Sequence, residues 1–257
     1  MSNPILNDNR FSSQETVLAG APMTINGTLN KIFLLTICLV AGVLISLYYL
    51  ASGQIALVSM FLPVSIFGAF LLVLITVFNV SLAKYTAAPY ALLEGILLGA
   101  ISSQFEAQYQ GIVIQAIGGT VAVLFTMLLL YRAKMITYTE KFASVLKTAV
   151  LSILIIYLIQ FVALFFSRSI PAIFGAGPLG ILFSIIVIVV ASMALIQDFY
   201  FIETSAQRML PKDYEWYGAM GLMITLVWLY LEILRLLAKL NSRRLIKKAL
   251  MSLFLFL

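Results

Sequence analysis

Long apolar runs separated by short polar connections dominate this chain. The runs cover about residues 32–52, 56–81, 87–103, 111–131, 147–167, 178–200 and 217–240. About 20 residues, at 1.5 Å of helical rise each, are enough to cross a hydrocarbon core roughly 30 Å thick. The runs lack the alternation of barrel strands, and lipid cannot satisfy exposed backbone groups, so each run predicts a helix. We therefore expect an all-α, polytopic membrane protein with seven transmembrane helices.

The polar segments divide the chain further. Residues 1–30 carry scattered Asn, Ser and Thr and lack the apolar stretch of a signal peptide, which predicts a polar N-terminal tail. Residues 31–240 form the predicted transmembrane domain, and residues 241–257 form a basic and apolar C-terminal tail. The last nine residues, ALMSLFLFL, are too few to span a bilayer and suggest an interfacial segment or a variable tail.

The distribution of Lys and Arg predicts the orientation, because basic residues are enriched in cytoplasmic loops. On the side of the membrane opposite the N-terminus, the loops before the last span contain Arg168 as their only basic residue. This asymmetry predicts a cytoplasmic N-terminus. The basic residues on the N-terminal side are Arg10, Lys31, Lys84, Arg132, Lys134, Lys141, Lys147, Arg208 and Lys212. The C-terminal basic residues between Lys239 and Lys248 conflict with seven full crossings. Either the last segment re-enters and returns, or the tail violates the rule.

Composition narrows the possible functions. Hydrophobic residues make up 63% of the chain and charged residues only 10%, against roughly 25% charged in soluble domains. The net charge of +6 does not predict nucleic-acid binding, because the basic residues flank apolar runs. The chain has no histidine, which excludes Ser-His-Asp and Cys-His catalysis and histidine-ligated zinc or haem. The single Cys38 allows no intrachain disulfide. We expect no enzyme activity and no bound cofactor.

Acidic residues inside the apolar runs are the strongest functional signal. Glu94 lies midway along the third run, Asp198 near the end of the sixth, and Glu232 deep in the seventh. Glu203 lies beyond Asp198, closer to the interface. A carboxylate at membrane depth costs a few kcal/mol on insertion scales, so it usually faces a partner or a water-filled cavity.

Each acid also has a purely structural interpretation. Glu232 could form a local ion pair with Arg235, three residues further along the same helix. Asp198 could already lie in the headgroup region. Glu94 could be protonated, or bonded to a neighbour on another turn such as Ser102 or Ser103.

A direct pair of Asp198 and Glu232 would create a proton-sensitive latch. Two carboxylates in a low-dielectric site cannot both ionise cheaply, so they would share one proton and hold their helices together. When both are ionised they would repel each other and attract a cation, favouring a hard divalent ion that prefers oxygen ligands. Two such arrangements are what a gate requires.

Several sequence blocks resemble the bacterial branch of the transmembrane Bax inhibitor motif family. The resemblance covers residues 22–244. Its blocks are MTINGTLNKIF, PYALLEGILLGAISSQFE, ALIQDFYFIE, LPKDYEWYGAMGLMITLVWLYLEILRLLAKL and NSRR. It implies a seven-helix bundle with the last helix in the centre, located in the bacterial inner membrane.

The resemblance also implies a function, namely a pH-sensitive calcium leak channel whose sensor and gate are acids on the last two helices. Asp198 and Glu232 match those positions, and calcium would be the transported ion. Glu94, Glu203 and Arg235 are then candidate pathway or latch residues. The better-known form of this pair is two aspartates, whereas this chain has Glu232 on the seventh helix and a longer intervening loop. The extra methylene of Glu232 changes the reach of the pair.

A second hypothesis is a non-conducting membrane regulator that binds a membrane protease or a stress-response complex. The polar N-terminal tail would then carry the function. Removing residues 2–22 separates the two hypotheses, because a channel should still conduct whereas a docking protein should lose its partner.

Overall fold

Seven long helices make up most of the protein. The computed structural model describes residues 22–166 and 170–255, and within these ranges no β-strand occurs. We number the seven helices that are long and apolar enough to span a membrane. They are α1 (Ile25–Ala51), α2 (Ile55–Phe78), α3 (Ala83–Gln108), α4 (Ile112–Arg132), α5 (Glu140–Phe165), α6 (Pro178–Gln207) and α7 (Asp213–Leu255). The all-α, seven-helix membrane fold predicted from the sequence is confirmed.

Several helices extend beyond the apolar runs that predicted them. Helix α1 begins at Ile25, inside the segment expected to be a polar tail, because Thr24 caps it. Thr24 has an extended backbone, and its hydroxyl accepts a 2.9 Å hydrogen bond from the Gly27 amide. Helix α5 begins at Glu140 and α6 ends at Gln207, seven residues outside the predicted run in each case. Helices can continue into the headgroup region, where polar side chains are hydrated, so hydropathy alone underestimates their length.

Helix α7 continues without a break from Asp213 to Leu255. A continuous helix has no reversal, so the structure excludes a last segment that turns back within this range. Half of the apolar window of α7 is buried, compared with 11% for α5. The windows of α3 and α6 are each 44% buried. The central position of the last helix stays a prediction.

Short connections with defined turns join several of these helices. The turn between α3 and α4 depends on Gly111, whose φ of 78° is in the left-handed region. Glu106 stabilises this turn, because its carboxylate accepts hydrogen bonds from the backbone amides of Gly111, at 2.6 Å, and Val113, at 3.1 Å. These amides would otherwise be unsatisfied at the start of α4.

The chain divides into two compact units. The first contains the described residues up to Ala100 together with Tyr200–Met223. In this unit α1 and α3 approach closely at Gly42 and Gly95. A Cβ on Gly95 would lie 2.1 Å from the Leu39 carbonyl oxygen, so only glycine permits this approach.

The second unit contains Ile101–Phe199 and the described residues from Ile224 onward. Its buried apolar cluster joins α5 and α6 through Leu146, Ile153, Val187 and Val190. Trp228 of α7 packs against the same cluster. All the contacts of Asp198 and Glu232 described below lie inside this unit.

Candidate functional site

Asp198 lies on α6 and is hydrogen-bonded to a residue of α7. Its partner is the hydroxyl of Thr225. The other carboxylate oxygen, Oδ2, is buried and has no hydrogen-bond partner among the described residues. Asp198 therefore has one carboxylate oxygen without a partner among the described residues, on a membrane-spanning helix.

Glu232 is 1% exposed and belongs to a three-residue polar cluster. Its Oε1 accepts 2.5 Å hydrogen bonds from the Tyr157 hydroxyl of α5 and from Arg235 Nη1. Arg235 also donates to the Tyr157 oxygen at 3.0 Å. The local ion pair with Arg235, which the sequence raised as an alternative, is therefore formed. Glu232 Oε2, like Asp198 Oδ2, is buried and lacks a partner within the described part of the chain.

Aromatic rings enclose this cluster on one side. The Tyr157 ring packs against Phe174 and Phe183, with centroids 5.8 and 6.2 Å away. The Arg235 guanidinium lies 5.3 Å from the centroid of the Tyr157 ring, a cation–π distance. The packing fixes the tyrosine hydroxyl against the acid, so the hydrogen bond is held by the apolar core of the unit.

Three polar residues recur every seven positions on α7, namely Thr225, Glu232 and Lys239. Seven residues make nearly two helical turns, so the three side chains share one face and follow each other at about 10 Å along the axis. Asp198 lies at the level of Thr225, two turns before Glu232. We call these four residues, three on α7 and Asp198 on α6, the polar stripe.

The two predicted gate acids thus have separate partners in this structure. Asp198 bonds to Thr225, whereas Glu232 bonds to Tyr157 and Arg235. Direct sharing of one proton between the two acids stays a prediction. Metal binding by this pair also stays a prediction, and no three His, Cys, Asp or Glu side chains of residues 22–166 and 170–255 form a group that could hold a metal ion.

The other candidate acids belong to the first unit. Glu94 is half-buried on α3, one turn after Tyr90. Glu203 is half-buried near the end of α6, and its carboxylate accepts a 3.2 Å hydrogen bond from the side-chain amide of Gln207. Ser102, which the sequence offered as a partner of Glu94, bonds instead to the Tyr230 hydroxyl at 2.6 Å.

A second buried acid, Glu215, was not singled out from the sequence. It lies in the first turn of α7 and is 1% exposed. Its carboxylate accepts hydrogen bonds from the amide and hydroxyl of Thr24 and from Lys31 Nζ. The Lys31 ammonium also lies 5.3 Å from the Trp216 ring centroid. These contacts tie the start of α1 to the start of α7 within the first unit.

A family model described as Bax inhibitor 1 like matches residues 3–242 of this chain. The chain belongs to the Bax inhibitor 1 like family. A search of curated proteins finds no match. The family and the seven apolar helices together identify a multi-pass membrane protein.

Two blocks that carry the family resemblance lie far apart in the sequence and contact each other in the structure. The block that begins at Met23 and the block that begins at Leu210 contact each other: the Met23 amide donates to the Leu210 carbonyl at 2.8 Å. The Thr24, Lys31 and Glu215 contacts reinforce this junction. The family match ends at residue 242, just before the basic tail.

Sequence reasoning missed three members of the site. Tyr157 is one of many aromatic residues in the apolar runs, and Thr225 is an uncharged residue inside the last run, so neither indicated a functional role. Lys239 was counted with the basic C-terminal cluster, yet it is buried. The seven-residue spacing of Thr225, Glu232 and Lys239 was the available signal.

Proposed function

We propose that this protein is a proton-sensitive cation leak, with Asp198 and Glu232 as sensor and gate and calcium as the transported ion. The observation that supports it is the pair of buried carboxylate oxygens, Asp198 Oδ2 and Glu232 Oε2, that lack a hydrogen-bond partner among the described residues. Both belong to helices that are long and apolar enough to span a membrane.

An ionised carboxylate with one unsatisfied oxygen is costly in an apolar environment, because burial removes the water that would solvate it. Either a proton or a cation relieves this cost. The protonated acid is neutral and tolerates burial, whereas the ionised acid favours an incoming cation. Competition between protons and cations for the same oxygens would make the leak depend on pH.

The spacing of the acids suggests two successive cation-binding positions along α7. Asp198 lies at the level of Thr225, and Glu232 lies two turns further along the same face. A cation released from one acid could be taken up by the next about 10 Å away. Carboxylate oxygens are among the ligands that calcium prefers, and the family resemblance favours calcium as well.

The remaining candidates have supporting roles in this proposal. Arg235 is the resident counter-ion of Glu232, so a passing cation would have to compete with it for Oε1. Glu94 and Glu203 are additional acids of the first unit that a cation could meet. The N-terminus is assigned to the cytoplasm from the Lys and Arg distribution, and the membrane is assigned as the bacterial inner membrane from the resemblance.

The test is calcium flux into proteoliposomes measured over a pH series. We expect wild-type flux to change with pH, and Asp198→Asn and Glu232→Gln each to remove that dependence. Asp213→Asn is the matched control, because Asp213 is a partly exposed acid at the start of α7 whose partner Lys84 lies 3.8 Å away. Unchanged pH dependence in both gate variants would overturn the proposal.

A deletion separates the leak from the regulator hypothesis. Residues 2–21 should be removed and Pro22 and Met23 retained, because Met23 bonds to Leu210 and Pro22 pairs with Pro211. A leak keeps its flux after this deletion. Loss of a bound membrane protease, with no flux before or after the deletion, would instead favour the regulator.

A further inference from the structure

Lys239 is a buried cation whose hydrogen-bonding capacity is fully used. It is 7% exposed. Its ammonium donates to the carbonyl oxygen of Gly180 at 2.8 Å, to the hydroxyl of Ser184 at 2.9 Å and to the carbonyl of Ile173 at 3.3 Å. An ammonium group has three N–H donors, so these three oxygens satisfy it completely.

The three oxygens converge because of a close backbone approach at Gly180. A Cβ on this residue would lie 2.0 Å from the Gly175 carbonyl oxygen and 2.9 Å from that of Ile173. Only glycine allows the segment that precedes α6 to fold back onto the first turn of that helix. Ser184 follows Gly180 by four residues and adds its hydroxyl from the same face.

No carboxylate takes part in this set of ligands. The nearest acid on α7 is Glu232, two turns earlier, and it is occupied by Tyr157 and Arg235. Calcium usually requires six to eight oxygen ligands, including carboxylates. In potassium channels, rings of backbone carbonyl oxygens instead replace the hydration shell of the ion, which shows that neutral oxygens suit a monovalent cation. Ammonium and potassium ions are similar in size.

We infer that the oxygens of Ile173, Gly180 and Ser184 form a monovalent-cation site whose built-in occupant is the Lys239 ammonium. When the lysine side chain is absent, a free primary ammonium or potassium ion binds in its place. The site is a property of the folded chain and does not require that the protein conduct ions.

The first experiment is rescue of Lys239→Ala by a free amine. This substitution removes the atoms from Cγ to Nζ, which correspond to n-propylammonium. In detergent, with N-methylglucamine as the only other cation, we expect n-propylammonium to raise the melting temperature saturably. A tenfold excess over Kd should give a shift of about 3 °C or more. Potassium should also stabilise the variant, and the wild type should respond to neither cation.

The controls separate a cation site from cavity filling and from general salt effects. Neutral n-propanol should not reproduce the shift, and Lys84→Ala, which removes a partly exposed lysine, should show none. Adding Ser184→Ala to Lys239→Ala should weaken the binding of n-propylammonium several-fold. An equal response to propanol, or an equal response of the Lys84 variant, would overturn the inference.

A second measurement keeps Lys239 in place, so it still tests the inference if Lys239→Ala does not fold. Reductive methylation of the folded protein, followed by mass spectrometry, should modify Lys84 readily and leave Lys239 largely unmodified. Ser184→Ala should increase the labelling of Lys239 several-fold, because one ligand is lost. Labelling of wild-type Lys239 at the rate of Lys84 would contradict the inference.

Discussion

The Tyr157 hydroxyl lies 2.5 Å from Glu232 Oε1, so a residue of α5 holds the buried acid of α7 through a single hydrogen bond. Arg235 donates to both partners of this bond. The three side chains contact each other pairwise, and aromatic rings pack against them on one side. Each member should therefore affect both the stability of the helix bundle and the response of Glu232 to protons.

Replacing Tyr157 with Phe removes the hydroxyl and retains the ring contacts with Phe174 and Phe183. We expect a loss of about 1 kcal/mol in unfolding free energy, the usual net value of a hydrogen bond. Glu232 Oε1 also loses a hydrogen-bond donor, so the pH dependence of flux should change. The matched control is Tyr48→Phe at an exposed tyrosine, and an effect of equal size there would contradict the prediction.

Replacing Arg235 with Met should destabilise the protein, because Glu232 keeps its charge without a counter-ion. Breaking a fully buried ion pair costs about 3–5 kcal/mol. The Arg235 side chain is 39% exposed, so we expect a smaller loss of about 2 kcal/mol.

A double-mutant comparison identifies the cause of this loss. The variant that combines Arg235→Met with Glu232→Gln carries no uncompensated acid, so it should be more stable than Arg235→Met alone. Denaturant unfolding in the same detergent measures the unfolding free energy of Arg235→Met, of Glu232→Gln and of the double variant. Additive losses would show that the ion pair is not the cause.

Replacing Thr225 with Val removes the hydroxyl that bonds to Asp198. Hydrogen bonds to charged groups contribute about 1.5–3 kcal/mol, and 1.36 kcal/mol corresponds to one pH unit. Ionised Asp198 is the form that loses the donor, so the pH midpoint of calcium flux should rise by about one unit. Thr120→Val is the control, because the Thr120 hydroxyl bonds only to the Ala116 carbonyl of its own helix. An unchanged pH midpoint in Thr225→Val would contradict a role of Asp198 in the pH sensor.

Replacing Gly27 with Ala tests the junction of α1 and α7. A Cβ at Gly27 would lie 2.2 Å from Glu215 Oε1, and Glu215 is held by Thr24 and Lys31. We expect a loss of about 2 kcal/mol from overpacking. At Gly118 a Cβ meets nothing within 4 Å, so Gly118→Ala should be neutral or stabilising by up to about 1 kcal/mol. Thermal unfolding compares the two variants, and equal stability would show that Glu215 moves aside without cost.

Much of the fold was predictable because the length of an apolar run is a local property. Each predicted run corresponds to one helix, and most of the differences concern helix ends. Thr24 moves the start of α1 toward the N-terminus through a capping bond that hydropathy does not detect. The candidate acids were predictable for a similar reason, since a carboxylate in an apolar run is unfavourable whatever surrounds it.

The partners of those acids were less predictable. The contact between Glu232 and Arg235 lies within one helix and follows from their spacing of three residues. The contacts of Glu232 with Tyr157 and of Asp198 with Thr225 join different helices. A contact of this kind depends on how each helix is rotated, and one residue along a helix turns a side chain by about 100°.

By itself, the sequence determined that this is a membrane protein, that the described residues contain seven long apolar helices, and that Glu94, Asp198 and Glu232 occupy unfavourable positions. Only the tertiary structure decided that Asp198 and Glu232 have separate partners two turns apart, and that Lys239 is buried among carbonyl oxygens. The physical reason is that burial in lipid follows from composition along the chain. The pairing of polar groups follows from the rotation and register of helices packed against each other.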